Sequence, residues 1–318
     1  MLKKQCQNCK SEFIIENEDL IFYEKIKVPP PTFCPKCRFQ RRLMFRNALK
    51  FYKRECGLCG KNIISNISAD KPFVVYCNKC YWSGKWDELS YGREYDPSQN
   101  FFEQFKDFVR SVPWPALSVD YPTLVNSEFV NMAGHLKDCY LLFDADYNER
   151  SFYSVSIKHC SDVMDSYFVG ENELCFQNID SGRNNRLFFS EDAEDCHDVY
   201  FSRDITGCSD CFGCVGLRRK QYHIFNKPYS KEEYQKKFAE FKMSSYSELE
   251  KIKKEIRVFW LKFPQKYMHS LQNVNSTGEY VYYSKNTKDS YAVLESEDSR
   301  FCQFLGLGPT KDCYDHSY

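Results

Sequence analysis

The 318-residue chain lacks the long apolar run of a membrane span and the motifs that mark common enzyme sites. No apolar stretch approaches the roughly 20 residues that cross a bilayer, and the N-terminal residues have no apolar core of a secretory signal. No Gly-rich phosphate loop, nucleophile elbow, His-Glu-x-x-His or dinucleotide fingerprint is present. These absences predict a cytoplasmic protein without a membrane partner. They leave no residue to name as catalytic and favour a non-enzymatic protein.

The chain also lacks net charge, because 44 Lys and Arg balance 44 Asp and Glu. The balance conceals an asymmetry: residues 1–95 carry 18 basic and 10 acidic side chains, and the remainder carries the opposite excess. Such a division indicates two surfaces with different partners. The aromatic content of 17% excludes wholesale disorder. At about 100–200 residues per domain, the length allows two or three domains.

Cysteine is abundant, and eight of the 17 cysteines form four Cys-x-x-Cys pairs in the first 80 residues. Two residues between thiolates let one tight knuckle present both sulfurs to one ion, and two knuckles complete a tetrahedral site. The alternative is redox or disulfide pairs, but a thioredoxin-like pair occurs once per domain, at a helix start after a strand. We therefore expect two structural Zn²⁺ ions per chain, with the pairs combined sequentially rather than interleaved. The predicted ligands are Cys6, Cys9, Cys34, Cys37, Cys56, Cys59, Cys77 and Cys80.

The first two pairs lie in a recognisable pattern: Cys-x-x-Cys, a Phe, a Phe-Tyr pair, a Pro-rich approach and Cys-x-x-Cys-Arg. These residues are Cys6, Cys9, Phe13, Phe22, Tyr23, Pro29–Pro31, Cys34, Cys37 and Arg38. Residues 6–42 thus resemble the zinc-ribbon domain of many bacterial and plant proteins. The whole chain is also similar to uncharacterised proteins of candidate-phylum bacteria, in which such ribbons precede Cys- and aromatic-rich repeats. Some of those carry a CaiB/BaiF-type CoA-transferase label, which no residue here supports, and neither resemblance implies an activity.

Residues 38–54, the basic segment, contain seven cations and no acid, interleaved with apolar and aromatic residues. The cations are Arg38, Arg41, Arg42, Arg46, Lys50, Lys53 and Arg54. Arg can grip a phosphate through two N–H groups, and exposed aromatic rings stack on unpaired bases. The segment is therefore a candidate site for nucleic acid or an acidic protein. The alternative is that its apolar residues pack between the ribbons while its cations are solvated or pair with acids elsewhere in the chain.

Two regions carry helical patterns. Residues 98–112 predict a helix that ends before Pro113, with one buried face. That face comprises Phe101, Phe105, Phe108 and Val112. Residues 229–263 predict a helical hairpin: a capping box at Ser230 starts a helix to about Met243, and Ser245 starts a second helix that Pro264 stops. We expect this hairpin to cover the side or end of the neighbouring repeats.

From Cys139 to Tyr222 the chain can be written as seven blocks of twelve residues. The second position of each block is large and apolar, the fourth is mostly small and polar, and the last is often Asp. Related sequences recur near Asp289 and Asp312. Self-similarity at a short fixed period predicts a parallel β-solenoid. Because a twelve-residue coil encloses too little space for an aromatic side chain in every turn, we expect two blocks per coil.

The nine remaining cysteines lie in these arrays, many in register. Cys139, Cys175 and Cys211 take the first position of a block, and Cys160, Cys196 and Cys208 take the tenth. Such recurrence predicts small apolar groups that fill a narrow core. The alternatives are a further metal site at Cys208, Cys211 and Cys214, or a thiol–disulfide function.

Acidic residues recur in the same way, at Asp180, Asp192 and Asp204, and residues 127–216 carry 17 acids against 6 bases. A stack of carboxylates can bind Ca²⁺ or perform acid–base chemistry on a carbohydrate. Asp also favours turns, because its side chain bonds the local backbone. We expect turn formation at these positions.

The predicted fold is mainly β, with tandem four-cysteine zinc ribbons followed by a parallel β-solenoid that a helical hairpin interrupts. Its segments are ribbons at 1–95, a helix and Pro linker at 96–115, a first array at 116–228, the hairpin at 229–268 and a second array at 269–318. The last block predicts either a truncated array or a partner that covers it. The favoured function is a zinc-binding, non-enzymatic interaction or scaffold protein. A solenoid enzyme or ligand-binding protein acting on a carbohydrate or cation, and metal or redox handling by the array cysteines, are the alternatives.

Overall fold

The structure is a computed structural model that describes residues 1–306 and 308–317. It is mainly β, with 37% of residues in strands and 20% in helices. The chain forms two compact units, one of Met1–Arg46 with Pro264–Tyr318 and one of Asn47–Phe263. Each unit contains two Cys-x-x-Cys pairs and one array of short strands. Within the described residues, no helix is long and apolar enough to cross a membrane.

Two cysteine modules share one local plan, a β-hairpin followed by a helix that starts at the second Cys pair. The first module has β1 (Leu2–Gln5), β2 (Glu12–Ile15), α1 (Asn17–Lys25) and α2 (Pro35–Leu43). The second module has β3 (Tyr52–Glu55), β4 (Asn62–Ser65), β5 (Val75–Tyr76) and α3 (Asn78–Tyr81). In each module one Cys pair lies in the hairpin loop and the other begins at a helix N-cap, which is Cys34 for α2 and Cys77 for α3.

The predicted linker helix forms as α4 (Phe101–Ser111), and the Asn100 side chain caps its N-terminus. A 3-10 turn (Glu88–Tyr91) precedes it and β6 (Trp114–Pro115) follows. The prediction of a buried face is wrong, because Phe101 and Phe105 are 53% and 51% exposed. Within the helix, the rings of Phe101 and Phe105 form a stacked pair at 5.8 Å.

The first array, residues 116–228, holds all the strands of a 15-stranded sheet. After a 3-10 turn (Tyr121–Thr123), its strands are β7 (Leu124–Val125), β8 (Val130–Lys137), β9 (Tyr140–Glu149), β10 (Phe152–Lys158), β11 (Ser161–Met164), β12 (Tyr167–Gly170), β13 (Glu173–Phe176), β14 (Ile179–Gly182), β15 (Asn185–Phe188), β16 (Glu191–Glu194), β17 (His197–Tyr200), β18 (Arg203–Thr206), β19 (Ser209–Phe212), β20 (Gln221–Ile224) and β21 (Lys227–Pro228). The sheet is mixed: β20 and β21 pair antiparallel, while pairs such as β12–β14 and β15–β17 are parallel.

Parallel neighbours in the first array pair at an offset of twelve residues. Tyr167 lies opposite Ile179, and Ile179 lies opposite Glu191. The other run of strands behaves alike, since Leu187 lies opposite Val199. The chain therefore returns beside itself after one block, and the prediction of two blocks per coil is wrong.

The inward side chains of the first array follow a period of three. Every third residue from Val130 to Cys214 is buried. Every third residue from Met132 to Phe225 has a positive φ, which turns the backbone. Positions one, four, seven and ten of each block therefore face inward, and the large apolar second position does not. No aromatic side chain has to fit inside, so the argument for a larger coil does not apply.

The positive-φ positions account for the abundance of Asp. Asp180, Asp192 and Asp204 have φ values of 46°, 50° and 53°. Asp tolerates the left-handed region because its short side chain bonds the local backbone, whereas β-branched residues do not. None of the described residues with positive φ is Val, Ile or Thr. These Asp residues lie within β14, β16 and β18, so the predicted turn takes the form of a left-handed residue inside a strand and not of a separate turn.

Buried polar side chains form a ladder through the interior of the first array. The Ser166 N–H donates to Ser154 Oγ at 3.0 Å, and the Ser190 N–H donates to Asn178 Oδ1 at 3.1 Å. The Ser202 N–H continues the ladder to Ser190 Oγ at 3.0 Å. Buried backbone N–H groups require acceptors. The small polar residues at the fourth position supply one acceptor per twelve residues.

The array cysteines occupy the same core. The prediction that cysteines fill the core is confirmed for the first array. Its buried members are Cys139, Cys160, Cys175, Cys196, Cys208, Cys211 and Cys214. Their thiols donate to carbonyl oxygens two residues earlier, as Cys211 does to Ser209 at 3.3 Å and Cys214 to Phe212 at 3.4 Å.

The helical hairpin forms from α5 (Lys231–Phe238) and α6 (Tyr246–Trp260) and packs on the first array, as expected. The predicted capping box at Ser230 is present, but α5 ends five residues before Met243 because Phe241 turns back onto the array and stacks on Phe212 at 3.9 Å. Gly213, with φ of 66°, lies beneath α6. A Cβ at that position would lie 2.7 Å from Ile256 Cδ1, so glycine permits the close approach.

The second array, residues 270–317, repeats this register in the other unit. Its strands are β22 (Ser270–Leu271), β23 (Gly278–Tyr282), β24 (Ser290–Leu294), β25 (Ser296–Glu297), β26 (Gln303–Leu305) and β27 (Thr310–Lys311). Val281 lies opposite Val293, which lies opposite Leu305, again at an offset of twelve. With Cys302, these three residues form a separate small core.

The polar ladder predicts that replacing an inward-facing Asn destabilises the protein more than replacing an outward-facing Asn. Asn178 is fully buried and donates to Leu187 O at 2.8 Å while accepting from the Ser190 N–H. We expect Asn178→Leu to lower the free energy of unfolding by about 2–4 kcal/mol, because it leaves two buried polar groups unpaired. The outward Asn185 bonds the Glu173 side chain, and Asn185→Leu should cost under about 1 kcal/mol. Urea unfolding followed by circular dichroism measures both, and equal losses would contradict the ladder.

Candidate metal centres

The first candidate centre unites the four cysteines of the first module. The sulfurs of Cys6, Cys9, Cys34 and Cys37 lie within 4.8 Å of one another, and the Cys9 and Cys34 sulfurs are 3.7 Å apart. Metal–sulfur bonds of about 2.3 Å in a tetrahedron place sulfurs about 3.8 Å apart. Cys9 is exposed, and the other three are buried. The cluster therefore has the size of a tetrahedral thiolate site at the edge of the module.

The second candidate centre has the same construction in the other unit. Cys56, Cys59, Cys77 and Cys80 bring their sulfurs within 4.8 Å of one another. Cys56 is buried and Cys59 is exposed, as are their counterparts in the first centre. Each cluster combines consecutive pairs, so the sequential combination is confirmed and the interleaved one is wrong.

Backbone N–H groups point at the sulfurs in an equivalent way in both centres. The Cys34 N–H donates to Cys6 Sγ, and the Cys77 N–H donates to Cys56 Sγ, each at 3.2 Å. In the first centre the Asn8 side chain also donates to Cys37 Sγ at 3.4 Å. Such donors stabilise a thiolate over a thiol. Each module thus positions the four sulfurs and also stabilises negative charge on them.

These contacts give the thiols within each cluster different pKa values. Burial raises the pKa of Cys6 and Cys56, but backbone donors outweigh it and lower both values to about 6. Burial raises the pKa of Cys34 to about 11, and the neighbouring Cys77 thiol raises that of Cys80 to about 12. Each centre thus holds a thiolate at neutral pH, and a metal ion would displace protons from other members. With four protein thiolates, such a site has no position left for a substrate.

The first module packs against the second array within one unit. Arg38 Nε and Arg42 Nη1, one helical turn apart on α2, reach the two oxygens of Asp315 at 2.8 and 2.9 Å. Arg300 of the array bonds Asp19 of α1 at 3.0 Å, and the Asp19 side chain is 3% exposed. The last described block of the array is therefore covered by the N-terminal module. The sequence did not reveal this, because residues almost 300 positions apart share no local pattern.

Stacked rings complete that contact. Phe22 of α1 lies face to face with Tyr314 at 3.9 Å, and Tyr23 meets the same ring edge-on at 6.0 Å. The Phe-Tyr pair that supports the zinc-ribbon resemblance thus packs on the second array.

The second module packs against the start of the first array within the other unit. The Ala116 N–H donates to Tyr76 O at 2.9 Å, and Asn131 Nδ2 donates to Ala48 O at 2.9 Å. The rings of Phe51 and Phe143 are 5.3 Å apart. Both modules thus bind terminal turns of an array, one through ion pairs and the other largely through backbone bonds.

The cations of the basic segment lie in different settings. Arg54 donates to the backbone oxygens of Ile67, Ser68 and Phe73, and the Arg41 guanidinium lies 4.7 Å from the Phe33 ring centroid. With Arg38 and Arg42, these contacts match the alternative in which the cations serve the fold. Arg46 also interacts with another part of the protein, and it is the last residue of the N-terminal segment of the first unit.

Two lysines and several apolar side chains of the segment remain at the surface. Lys50 and Lys53 are exposed, and among residues 1–306 and 308–317 neither has an ion-pair partner. Met44, Phe45 and Leu49 are 79%, 91% and 58% exposed. These three apolar residues are therefore exposed, whereas the structural alternative for this segment requires them to be packed between the ribbons.

The other candidate sites of the arrays do not gather ligands in the described chain. Within residues 1–306 and 308–317, only the two four-cysteine clusters bring three or more His, Cys, Asp or Glu ligand atoms within 4.8 Å of one another. At other positive-φ positions of the first array, Arg residues pair with Asp residues twelve positions later. Arg150 bonds Asp162 at 2.8 Å, and Arg183 bonds Asp195 at 2.7 Å.

No family model and no curated protein matches this chain. The similarity of residues 6–42 to zinc ribbons, and that of the whole chain to ribbon-and-repeat proteins, stay predictions.

The two pKa groups predict how metal affinity depends on pH. Protons compete with the metal for thiolates, so we expect affinity to fall as the pH is lowered from about 8 to about 5. The fall should steepen below about pH 6, where Cys6 and Cys56 also bind protons. Competition with a chelator of known affinity, using zinc as the probe, measures this. An affinity that does not change over this range would contradict the assignment.

Proposed function

We propose that the protein is a zinc-binding, non-enzymatic scaffold in which two structural ions fix the cysteine modules against the arrays. The pair of closed four-cysteine clusters, each in a module packed on an array, carries this proposal. Four thiolates in tetrahedral arrangement suit zinc, with an iron–sulfur centre as the chemical competitor. The Cys-x-x-Cys spacing favours zinc. Seventeen thiols also fit a reducing compartment such as the cytoplasm.

We further propose that both arrays are parallel β-solenoids with one twelve-residue block per coil. The offset of twelve in both arrays and the three-residue period of burial in the first support this interpretation. A solenoid exposes unpaired backbone and open core at its ends and requires caps there. In this proposal the cysteine modules serve as caps, and the exposed outer faces of the coils are available for assembly.

The stoichiometry and identity of the metal test the zinc proposal. We expect the purified full chain to contain two zinc ions and no iron by elemental analysis. Cys34→Ser and Cys56→Ser should each retain one ion, because each removes one thiolate of a separate centre. Cys302→Ser, in the core of the second array, is the matched control and should retain two. Iron in place of zinc, or one ion lost in the control, would refute the assignment.

A second candidate function is binding of single-stranded nucleic acid through the basic segment. The exposure of Tyr52 between Lys50 and Lys53 favours it, because this part of the segment presents an aromatic ring and unpaired cations together. Bases stack on such rings while cations neutralise phosphates. An acidic protein is the alternative partner for the same surface.

Salt dependence tests that function in the full, zinc-loaded chain. We expect a mixed-sequence single strand to bind, with affinity falling as salt rises, because neutralised phosphates release counterions. The double variant Lys50→Gln/Lys53→Gln should lower the slope of log affinity against log salt by about 1.4. The matched control, Lys61→Gln/Lys71→Gln, removes two cations outside the segment and should change the slope little. No binding at low salt, or equal effects of both variants, would refute nucleic-acid binding.

A further inference from the structure

A cleft of about 840 Å³ lies between the second cysteine module and the start of the first array, within one unit. Its volume falls in the range of small-molecule sites, about 300–1,000 Å³. Residues of β3, β4 and α3 form one side. Residues 116–130, the first turn of the array, form the other.

The array side of the cleft is apolar because the interior of the array opens there. Val130 is a fully buried core residue, and Val119 and Leu124 pack against the same core while remaining partly accessible. Ile63 and Ile64 of β4 line the module side of the cleft. The cleft therefore offers an aliphatic surface that packing within the chain leaves uncovered.

The module side adds positive charge. Lys53 on β3 and Lys79 on α3 both line the cleft and are exposed. Neither lysine has an ion-pair partner among residues 1–306 and 308–317. Lys53 lies directly opposite Ile64 in the β3–β4 hairpin, so both side chains leave the same face of the hairpin. This face thus presents a cation and an aliphatic group side by side.

One acid opposes these cations. Glu128 is the carboxylate of the lining and lies on the array side, Cys77 adds a thiolate when it holds a metal, and other polar side chains such as Asn62 and Asn78 are neutral. Because neither lysine has an ion-pair partner within the described chain, both ammonium groups remain available to a ligand. A ligand that matches the cleft carries an anionic head beside an aliphatic body.

We propose that this cleft binds a small anionic amphiphile, a carboxylate or phosphate group on an aliphatic chain. The head is held by Lys53 and Lys79, and the chain lies against Ile64, Val119 and Leu124. Burial of the chain supplies affinity, and the lysines select the charge. The site adjoins the second thiolate centre, because Cys77, a ligand of that centre, also lines the cleft. The proposal does not depend on nucleic-acid binding.

Calorimetry on the full, zinc-loaded chain tests the site with decanoate and decyl phosphate as probes, both below their micelle concentrations, and with inorganic phosphate as the head alone. We expect both amphiphiles to bind in one-to-one ratio and inorganic phosphate to bind at least about tenfold more weakly. Comparison of the two amphiphiles identifies the preferred head group. Inorganic phosphate that binds as tightly as decyl phosphate would overturn the proposal, because the apolar wall would then contribute nothing.

Charge variants locate the site. Lys53→Gln and Lys79→Gln should each weaken decanoate binding about tenfold, the effect of losing a charged hydrogen bond. Glu128→Gln should strengthen it, because it removes the opposing charge. Lys61→Gln, in the same module but outside the cleft, is the matched control and should leave affinity within about twofold. No decanoate binding, or equal binding by the Lys53→Gln/Lys79→Gln double variant and the wild type, would overturn the proposal.

Cobalt in place of zinc gives a second readout that does not depend on the affinity measurement. Because Cys77 lines the cleft, decanoate should alter the visible absorption of cobalt at the second centre. The Cys34→Ser chain, with cobalt at the second centre alone, should show the same change. A spectral change that persists in the Lys53→Gln/Lys79→Gln variant would place the bound decanoate elsewhere and contradict the assignment.

Discussion

A backbone that turns at every third residue and returns beside itself after twelve is the constraint on which this protein depends. It allows four inward side chains per block, and it forces one residue in three into the left-handed region. The interior is therefore built from small polar and aliphatic side chains, namely Ser, Asn, Ala, Cys, Val, Leu and Ile, and excludes aromatic rings. The large aromatic residues are left outside, where they stack on one another or bind the helical hairpin.

The backbone groups of such an array are hydrogen-bonded along its length, but those at its two ends lack partners. Interior N–H groups such as those of Ser166 and Ser190 find their acceptors one block away, so a terminal block has no such partner on one side. The cysteine modules cover terminal blocks in both units: Asp315 receives two arginines from α2, and Ala116 bonds the backbone of Tyr76. A small module with few core residues cannot hold a fixed shape alone. A thiolate-bound ion supplies that rigidity in our account.

Local features of this fold could be predicted from the sequence, and features that depend on distant residues could not. The Cys-x-x-Cys spacing identified both clusters, and the capping box at Ser230 identified the start of α5. The block length was visible, but the coil size was misjudged because the large apolar second position of each block was expected to face inward, and the three-residue period places it outside. The docking of Arg38 and Arg42 on Asp315 was invisible because no short pattern relates residues that far apart. The segment containing Phe101 and Phe105 was correctly placed in a helix, but helical spacing alone does not show what covers its apolar face.

Hydrogen exchange read by mass spectrometry, on the full chain before and after removal of zinc by a chelator, tests the central claim most directly. If the four-cysteine centres hold the modules on the arrays, zinc removal should raise exchange in residues 2–43 and also in residues 300–317, which the first module covers. Residues 160–200, far along the first array from its capped turn, should keep their protection. Increased exchange confined to the cysteine modules, with the terminal blocks of the arrays unchanged, would contradict the account.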